Sequence, residues 1–358
     1  MLRGKTERIG GIGYMIRFNN DYNRGAHPKV LEAFEKTNTE QFGGYGDDDC
    51  CKEAIGIIRD ITHCPKADVY FFAGATQANF VVISSLIGSC DSVICADTGH
   101  IMGHECASIE HAGRKMCALP STDGKINAGQ IKKEAQRYYD SGEPEYMTRP
   151  SLVYISFPTE YGTIYTKAEL QAISDVCKEY NMFLFVDGAR LGYGLGAKDN
   201  DLTIADIARL ADVFYIGGTK CGAMFGEAVV ITDPAETPRF KSHMKQNGAV
   251  LAKGWCLGLQ FDALLKDDLY FDITRQADEH AMHIRDAFRE KEIKEYIVSS
   301  TNQQFVVLDD DKADRLSKEY VFEREGRIDE RHILARFCTA WSTTKEETDA
   351  LVESIINL

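Results

Sequence analysis

The stretch ADVFYIGGTKCGAMFGEAVVIT, residues 211–232, holds two apolar runs separated by a glycine-rich turn. The runs Asp212–Ile216 and Ala228–Ile231 predict two short buried strands. Lys220 lies in the turn and has no carboxylate within four residues along the chain. Because burial among small and apolar side chains lowers the pKa of an amine, Lys220 is a candidate Schiff-base nucleophile. On this stretch alone, a hairpin lysine that reaches solvent is the simpler interpretation.

The composition indicates a soluble globular protein in a reducing compartment. The chain has 358 residues, of which 44% are hydrophobic and 27% are charged, and this fits one large or two moderate domains. Its net charge of -14 argues against a nucleic-acid partner. The absence of a long apolar run and of a signal core argues against a membrane partner and secretion. The eleven scattered cysteines fit free thiols, so we expect a cytoplasmic protein.

Strands alternate with helices over the first two thirds of the chain, which predicts an α/β domain with a mostly parallel sheet. A polar stretch follows Leu265, and beyond it the pattern predicts a long helix, two strands and a last helix from Lys345. We therefore predict a loose lead-in at residues 1–14, a large α/β domain at 15–265 and a small α+β domain at 266–358.

Two predicted turns at strand ends carry candidate ligand-binding groups. Ala75 and Thr76 follow Gly74 at a helix start, where unpaired N–H groups and the helix dipole favour an anion. A simple helix start explains the same pattern. Asp187 ends an apolar strand, and open α/β sheets bind ligands beyond the carboxyl ends of their strands. Arg190 is the simple partner of this carboxylate, and a protonated ring nitrogen is the more specific one.

His100 and His104 are four residues apart, a spacing that on a helix presents two metal ligands on one face. Gly99 and Gly103 weaken such a helix, and no third ligand has a convincing spacing, so we predict no metal. A histidine directly after a strand can instead lie flat against a ring. A hydrogen-bonded loop histidine is the simpler alternative.

An ordered set of motifs resembles the threonine aldolase and β-eliminating lyase family, within the aspartate-aminotransferase-like fold. The motifs are FNNDY, YGDD, GATQAN, DTGHIMGHE, VDGARLGYG, GGTKCGA and LARFCTAW. The resemblance covers most of the chain and implies fold type I, with a mostly parallel sheet flanked by helices and a smaller C-terminal α+β domain. It also implies pyridoxal 5′-phosphate as cofactor, a small amino acid as substrate, and a homodimer or homotetramer with shared active sites.

The resemblance assigns roles to residues around the cofactor. Lys220 resembles the lysine that carries it, Asp187 resembles the aspartate that keeps the pyridine nitrogen protonated, and His100 resembles the imidazole stacked on the ring. Ala75 and Thr76 resemble the phosphate cradle.

Further residues resemble those that bind the substrate. Asn20, Arg190 and Arg336 resemble the groups that hold its carboxylate, which an arginine fork binds bidentately. Arg190 is also a candidate cofactor contact. Tyr45, on the substrate side, and Lys253, on the cofactor side, resemble residues that reach a site at a subunit interface.

The chain departs from the family pattern at several positions. Asn20-Asp21-Tyr22 replaces a common Ser-Asp-Thr, and Gly-Thr precedes Lys220 in place of Leu-Ser. The segment ISFPTEYG, residues 155–162, lacks a histidine that is a candidate for handling the β-hydroxyl proton. These departures leave the base, the stereochemical preference and the preferred reaction open.

The implied reaction is cleavage of threonine or allo-threonine to glycine and acetaldehyde, with His100 or His104 as the base. It would place the chain in threonine catabolism and glycine formation. The alternatives are β-elimination on the same scaffold, an aminotransferase, and a binding protein that has lost turnover. A nicotinamide dehydrogenase is disfavoured, because the early GGIG does not follow a strand and no Gly-x-Gly-x-x-Gly turn is present.

Overall fold

The computed structural model describes residues 15–358, so the predicted lead-in at residues 1–14 lies outside the described residues. Within this range, every helix is too short or too polar to cross a lipid bilayer. The strands are β1 (Ile16–Arg17), β2 (Asp68–Phe72), β3 (Asp91–Ala96), β4 (Lys115–Leu119), β5 (Arg149–Ser156), β6 (Phe183–Asp187), β7 (Val213–Gly217), β8 (Glu227–Ile231), β9 (Glu295–Ile297), β10 (Gln303–Asp309), β11 (Tyr320–Val321), β12 (Glu323–Arg327) and β13 (His332–Cys338).

The helices flank these strands on both sides. They are α1 (Pro28–Thr37), α2 (Asp49–Ile61), α3 (Ala75–Leu86), α4 (His100–Gly103), α5 (Ser108–His111), α6 (Ala128–Tyr139), α7 (Lys167–Glu179), α8 (Leu191–Gly196), α9 (Ile204–Leu210), α10 (Phe240–Gln246), α11 (Trp255–Leu265), α12 (Leu269–Glu290), α13 (Asp310–Leu316) and α14 (Lys345–Ile356). Short 3₁₀ turns cover Pro144–Tyr146, Pro234–Glu236 and Lys266–Asp268.

A seven-stranded sheet in the order β2-β8-β7-β6-β5-β3-β4 forms the centre of the molecule. The strands β3 to β7 pair parallel to one another, whereas β8 runs antiparallel to both β2 and β7. Every residue of β3, β7 and β8 is buried, as expected for strands that are covered on both faces. The prediction of a mostly parallel sheet is confirmed.

The lysine-bearing turn joins an antiparallel strand pair. Val213 pairs with Ile231 and Gly217 pairs with Glu227, so both predicted strands are present with a boundary moved by one residue. Gly222 in the turn has a φ of +103°, and a Cβ there would lie 2.8 Å from Ile273 Cδ1. Only glycine fits this backbone and this space, which explains the loosened sequence around Lys220.

Two helices begin earlier than the apolar pattern predicts. The apolar part of the third helix begins at Asn79, but α3 itself begins at Ala75, where the sequence places the helix start beside the anion site. For the long polar helix the pattern predicts a start at Asp272, but α12 begins at Leu269. In α3 the first turn consists of small and polar residues, which a search for apolar periodicity does not detect.

The C-terminal part forms a separate antiparallel sheet in the order β12-β13-β10-β9. Side chains of this sheet, α12 and α14 share one apolar cluster, which also contains Phe18. The short β1 pairs parallel with β11, and the Cys338 amide donates to the Phe18 carbonyl at 2.7 Å. The chain therefore enters along the smaller sheet, and this places residues 19–22 between the two sheets. The domain boundary at 265/266 stays a prediction.

Candidate active site

A cavity of about 850 Å³ lies between the two sheets, at the carboxyl ends of β6 and β7. Such strand ends are the usual ligand-binding position in open α/β sheets. The structure brings most of the predicted site residues together here. Those that line the cavity are Ala75, Thr76, His100, His104, Arg190, Lys220 and Arg336.

Lys220 presents a half-buried amine to this cavity. Its backbone carbonyl accepts a hydrogen bond from the Tyr193 hydroxyl at 2.7 Å, which anchors the turn. Its Nζ forms neither a hydrogen bond nor an ion pair with any residue between 15 and 358. Burial lowers the pKa of Lys220, and the neighbouring Arg190 charge lowers it further. A larger share of the amine is therefore neutral and able to attack a carbonyl carbon.

Glu227 is a buried acid beside Lys220 that sequence reasoning missed. It accepts hydrogen bonds from the Gly218 amide at 3.0 Å and the Thr219 hydroxyl at 2.7 Å. Burial raises its pKa to about 7. Glu227 is seven residues from Lys220 along the chain and comes close because β8 folds back on β7. Its signal in the sequence was a glutamate at the start of an otherwise apolar strand.

Asp187 lies at the end of β6, almost fully buried. One carboxylate oxygen accepts from the Ala189 amide at 3.0 Å, and the other accepts from the Tyr154 hydroxyl and from Asn79 Nδ2. Burial raises the pKa of Asp187, but the His100 charge and these hydrogen bonds outweigh burial, so its pKa is lowered. The carboxylate is ionised but has no lysine or arginine ion-pair partner within the described range. A protonated ring nitrogen fits this position.

Arg190 pairs with Asp21 and not with Asp187, so the simple interpretation of the Asp187 partner is wrong. Arg190 Nε and Nη2 donate to the two Asp21 oxygens at 2.7 and 3.1 Å. Asn302 Nδ2 also donates to Asp21, at 2.9 Å. This buried bidentate pair leaves Nη1 of Arg190 for a ligand. Whether Arg190 binds substrate or cofactor stays a prediction.

A hydrogen-bonded network joins His100 to Asp187. His100 Nδ1 lies 2.8 Å from Glu105 Oε1, which also accepts from Asn79 Nδ2 at 2.8 Å. Burial lowers the pKa of His100, but the hydrogen bond to Glu105 and the charge of Asp187 outweigh burial and raise it. Glu105 and Asn79 were missed as site residues, although both lie within the quoted motifs DTGHIMGHE and GATQAN.

The start of α3 has the features of an anion site. Its N-cap residue, Gly74, offers no side-chain hydrogen bond to the first amides of the helix. A Cβ at Gly74 would meet no atom within 4 Å, so the space beside the helix end is open. Ala75 and Thr76 line the cavity at this end. Unpaired amides and the positive end of the dipole suit a phosphate group.

Arg336, on β13, faces the opposite side of the cavity. Its Nη2 donates to the Asn19 carbonyl at 3.2 Å, and its Nη1 donates to Gln303 Oε1 at 3.5 Å. Its Nε lies 3.1 Å from Glu325 Oε1, but it is buried without an aligned hydrogen bond. Arg336 lines the cavity with one ion pair and two long hydrogen bonds, so its guanidinium is placed to bind a ligand carboxylate as well.

The other predicted site residues lie nearer the surface. The His104 ring is 5.5 Å from the His100 ring, and burial and the His100 charge lower its pKa. Asn20 Oδ1 caps the Tyr22 amide at 3.1 Å, and the Tyr22 ring lines the cavity instead. Tyr45 lines a second cleft of about 300 Å³, and Lys253 is exposed nearby. One chain does not bring Tyr45 and Lys253 to Lys220.

The chemistry of these groups defines the ligand they would hold. The amine of Lys220 suits an aldehyde, the buried carboxylate of Asp187 suits a protonated ring nitrogen, and the start of α3 suits a phosphate. Pyridoxal 5′-phosphate carries all three groups on one ring, so the residues present fit this cofactor. Arg336 provides a separate site for the carboxylate of an amino acid.

Known proteins resemble this chain over nearly its full length. The model of the β-eliminating lyase family matches residues 28–311. A low specificity L-threonine aldolase of Pseudomonas sp. (strain NCIMB 10558) is 34% identical over 259 residues, which is 70% of this chain and 72% of the relative. A low specificity L-threonine aldolase of Pseudomonas aeruginosa is 28% identical over 351 residues, covering 95% of this chain and 96% of the relative.

Solved structures show the same relationship. A threonine aldolase of Leishmania major is 39% identical and superposes with a TM-score of 0.93, covering 96% of this chain and 99% of that one. An aspartate aminotransferase of Thermus thermophilus is only 12% identical, with a TM-score of 0.71 over 96% of this chain and 91% of that one, so it shares the fold alone. The predicted fold type I architecture with a smaller C-terminal domain is confirmed.

Proposed function

Because the chain belongs to the β-eliminating lyase family, we propose that it is a pyridoxal-phosphate-dependent threonine aldolase, which cleaves threonine to glycine and acetaldehyde. The single observation that carries this proposal is the half-buried, unpaired amine of Lys220, which shares one cavity with the open start of α3 and feels the charge of the buried Asp187 carboxylate. The threonine aldolase names of its relatives favour this reaction over the others of the fold.

Three groups of this chain hold the cofactor in our proposal. Lys220 holds its aldehyde carbon, Asp187 holds its ring nitrogen, and the first amides of α3 with the Thr76 hydroxyl hold its phosphate. His100 lies against the ring face, with its orientation set by Glu105. Bound pyridoxal phosphate supplies an electron sink for the bonding pair released at the substrate Cα.

Arg336 orients the substrate in this proposal. Its guanidinium binds the substrate carboxylate, and this contact determines which bond at Cα stands perpendicular to the plane of the ring. Nη1 of Arg190 and the side chain of Asn20 are further candidates for the same carboxylate. The sequence assigns the β-hydroxyl proton to His100 or His104, and that assignment is a prediction.

The relatives' names also suggest the stereochemistry. We propose that this chain acts on L-threonine and L-allo-threonine with little discrimination at Cβ, as low specificity L-threonine aldolases are named for. Rates on all four stereoisomers, measured with the same enzyme preparation, test this proposal. Activity on the D-isomers alone would contradict it.

Acetaldehyde release from threonine by the purified, cofactor-loaded protein is the direct test of the reaction. We expect stoichiometric glycine and acetaldehyde, and we expect Lys220→Ala to abolish both while keeping the wild-type circular dichroism spectrum. Ammonia and a keto acid in place of these products would indicate β-elimination. A protein that neither turns yellow with cofactor nor releases acetaldehyde would contradict the enzyme assignment.

A homo-oligomer with shared sites explains why Tyr45 and Lys253 lie outside the Lys220 cavity in one chain. We therefore place them in the site of a second copy, in a cytoplasmic homodimer or homotetramer. Mixing inactive Lys220→Ala and Lys253→Ala chains after mild dissociation tests this arrangement. Recovery of activity supports shared sites, and a monomer by sedimentation contradicts them.

A further inference from the structure

Glu160 is an acid of the Lys220 cavity to which neither the family motifs nor the proposed roles give a task. It lies four residues beyond the end of β5. Its Oε1 accepts a hydrogen bond from the His100 amide at 3.0 Å and from the Ser156 hydroxyl at 2.8 Å. Within residues 15–358, no other residue donates a hydrogen bond to its Oε2, and Glu160 lines the cavity. One oxygen therefore fixes the carboxylate and the other faces the cavity.

Hydrogen bonds place Glu160 between the residues proposed for the ring face and for the carboxylate. The Glu160 carbonyl accepts from Gln303 Nε2 at 3.3 Å, and Gln303 Oε1 accepts from Arg336 Nη1 at 3.5 Å. The side chain of Glu160 accepts a hydrogen bond from the His100 amide. A substrate with its carboxylate on Arg336 and its Cα near Lys220 would have its Cβ substituents in the space between these contacts.

The loop that carries Glu160 is held firmly. The Gly162 carbonyl accepts hydrogen bonds from Ser299 Oγ and Thr301 Oγ1, both at 3.0 Å. Gly162 has a φ of +75°, and a Cβ there would lie 2.4 Å from Ser299 Oγ. The position of Glu160 is therefore set by contacts to the turn between β9 and β10 and not by a free loop.

His100 is poorly suited to accept a proton. Its Nδ1 is occupied by Glu105, and although burial lowers its pKa, Glu105 and Asp187 outweigh this and raise it. A raised pKa reduces the fraction of neutral imidazole, which is the form that has a free lone pair. Burial, followed by the charge of Asp187, raises the pKa of Glu160, so its carboxylate is a stronger base than an exposed one. The positive charge of His100 opposes this increase.

We propose that Oε2 of Glu160 accepts the β-hydroxyl proton of the substrate, a role that rests on the proposed threonine cleavage. As the proton moves to Glu160, the Cβ–O bond becomes the carbonyl of acetaldehyde and the Cα–Cβ bond breaks. The bonding pair stays on Cα, which then takes up one proton to give glycine. The step needs no oxidant, reductant or further reactant.

Glu160→Gln is the decisive variant, because it keeps the shape and the amide oxygen that His100 and Ser156 donate to, but removes the base. Positioned general bases contribute about 10²-fold to 10⁴-fold, so we expect the kcat for threonine cleavage to fall by about that factor. Exchange of the glycine α-proton in deuterated water involves no hydroxyl group. We expect this exchange to stay within about threefold of wild type, because no base at the hydroxyl is needed for it. The cofactor affinity of the apo protein, followed by absorbance, should not change.

Two matched variants complete the experiment. Glu323→Gln removes another acid that lines the same cavity, and we expect it to retain threonine cleavage. His104→Gln removes the other candidate base, so it distinguishes the two assignments. Three results would overturn the proposal. They are wild-type cleavage by Glu160→Gln, an equal loss of cleavage and of glycine exchange in Glu160→Gln, and a selective loss of cleavage in His104→Gln. A wild-type protein that exchanges glycine but leaves threonine intact contradicts the proposed function itself, and so separates the two failures.

Discussion

Replacing Asn79 with leucine removes an amide group that donates to two buried carboxylates at once. Asn79 Nδ2 lies 2.8 Å from Glu105 Oε1 and 3.1 Å from Asp187 Oδ2. Asn79 is fully buried, so no water replaces the lost donor at either carboxylate. Leucine keeps the γ-branched shape and favours the helix, but it is larger than asparagine and adds a packing cost. Because this packing cost does not depend on pH, the pH dependence of the loss tests the hydrogen bonds.

The expected loss follows from the number and type of the bonds. A hydrogen bond to a charged group contributes about 1.5–3 kcal/mol, so the two together give a loss of about 3–6 kcal/mol in the free energy of unfolding at neutral pH. Loss of the bond from Asn79 also raises the pKa of Asp187, because a hydrogen bond to the carboxylate favours its charged form. In the wild type this pKa is lowered, so the contribution of Asp187 to stability is present above its ordinary pKa and is lost as the pH falls through the folded value.

Urea unfolding of the variant and the wild type at pH 7 and pH 4.5 is the assay. We expect the difference in unfolding free energy to be largest at pH 7 and smaller at pH 4.5, because protonation in the variant relieves the uncompensated charge. Asn38→Leu, at the exposed end of α1, is the control for the amino-acid change itself. An equal loss at both pH values, or a loss below about 1 kcal/mol at pH 7, would refute the reasoning.

Two further predictions concern the acids Glu325, which pairs with Arg336, and Asp278, which is buried without an aligned hydrogen bond to its carboxylate from residues 15–358. Glu325→Gln frees Arg336 from its ion pair, and a partly exposed pair of this kind contributes up to about 1 kcal/mol. We therefore expect steady-state kinetics to show a KM for threonine that is about twofold to fivefold lower, with an unchanged kcat. A higher KM would contradict this prediction. Burial raises the pKa of Asp278 well above its ordinary value, and although the Asn302 amide lies near, neither carboxylate oxygen accepts an aligned hydrogen bond. Because this pKa is raised in the folded protein, the stability is greatest at acid pH and falls as the pH rises through the folded value. Thermal unfolding should therefore show Asp278→Asn to be more stable than wild type at pH 8 and equal to it near pH 4. A less stable variant at pH 8 would exclude this explanation.

Local pattern was enough to predict the parts of the site that follow directly from one strand or one turn. The apolar runs around Lys220 predicted β7 and β8 to within a residue, and an aspartate at the end of an apolar strand predicted the position of Asp187. The glycine before Ala75 and Thr76 placed the start of α3 correctly, although the apolar part of the helix begins only at Asn79. In each case, the alternation of apolar runs with glycine and polar residues carries the information.

Pairing between distant residues could not be predicted this way. Arg190, three residues from Asp187, was the simpler of two candidate partners for that carboxylate, but it pairs with Asp21, which is 169 residues away. The order of strands in the central sheet and the entry of the chain along the smaller sheet bring these two side chains together. A charged side chain has no sequence pattern that names its partner, because the choice depends on which groups the fold buries around it.

The sequence by itself determined the fold class, the lysine turn, the strand-end aspartate and the helix start that suits a phosphate, since each depends on local periodicity, turn glycines or an exposed helix end. Only the tertiary structure decided which buried groups lie beside these site residues and change their charge and pKa. It joined Asn79 to Asp187 across 108 residues, turned Glu160 toward the cavity beside His100, and folded Glu227 back beside Lys220. These acids act through burial and distance, and both arise only when the strands and helices pack together.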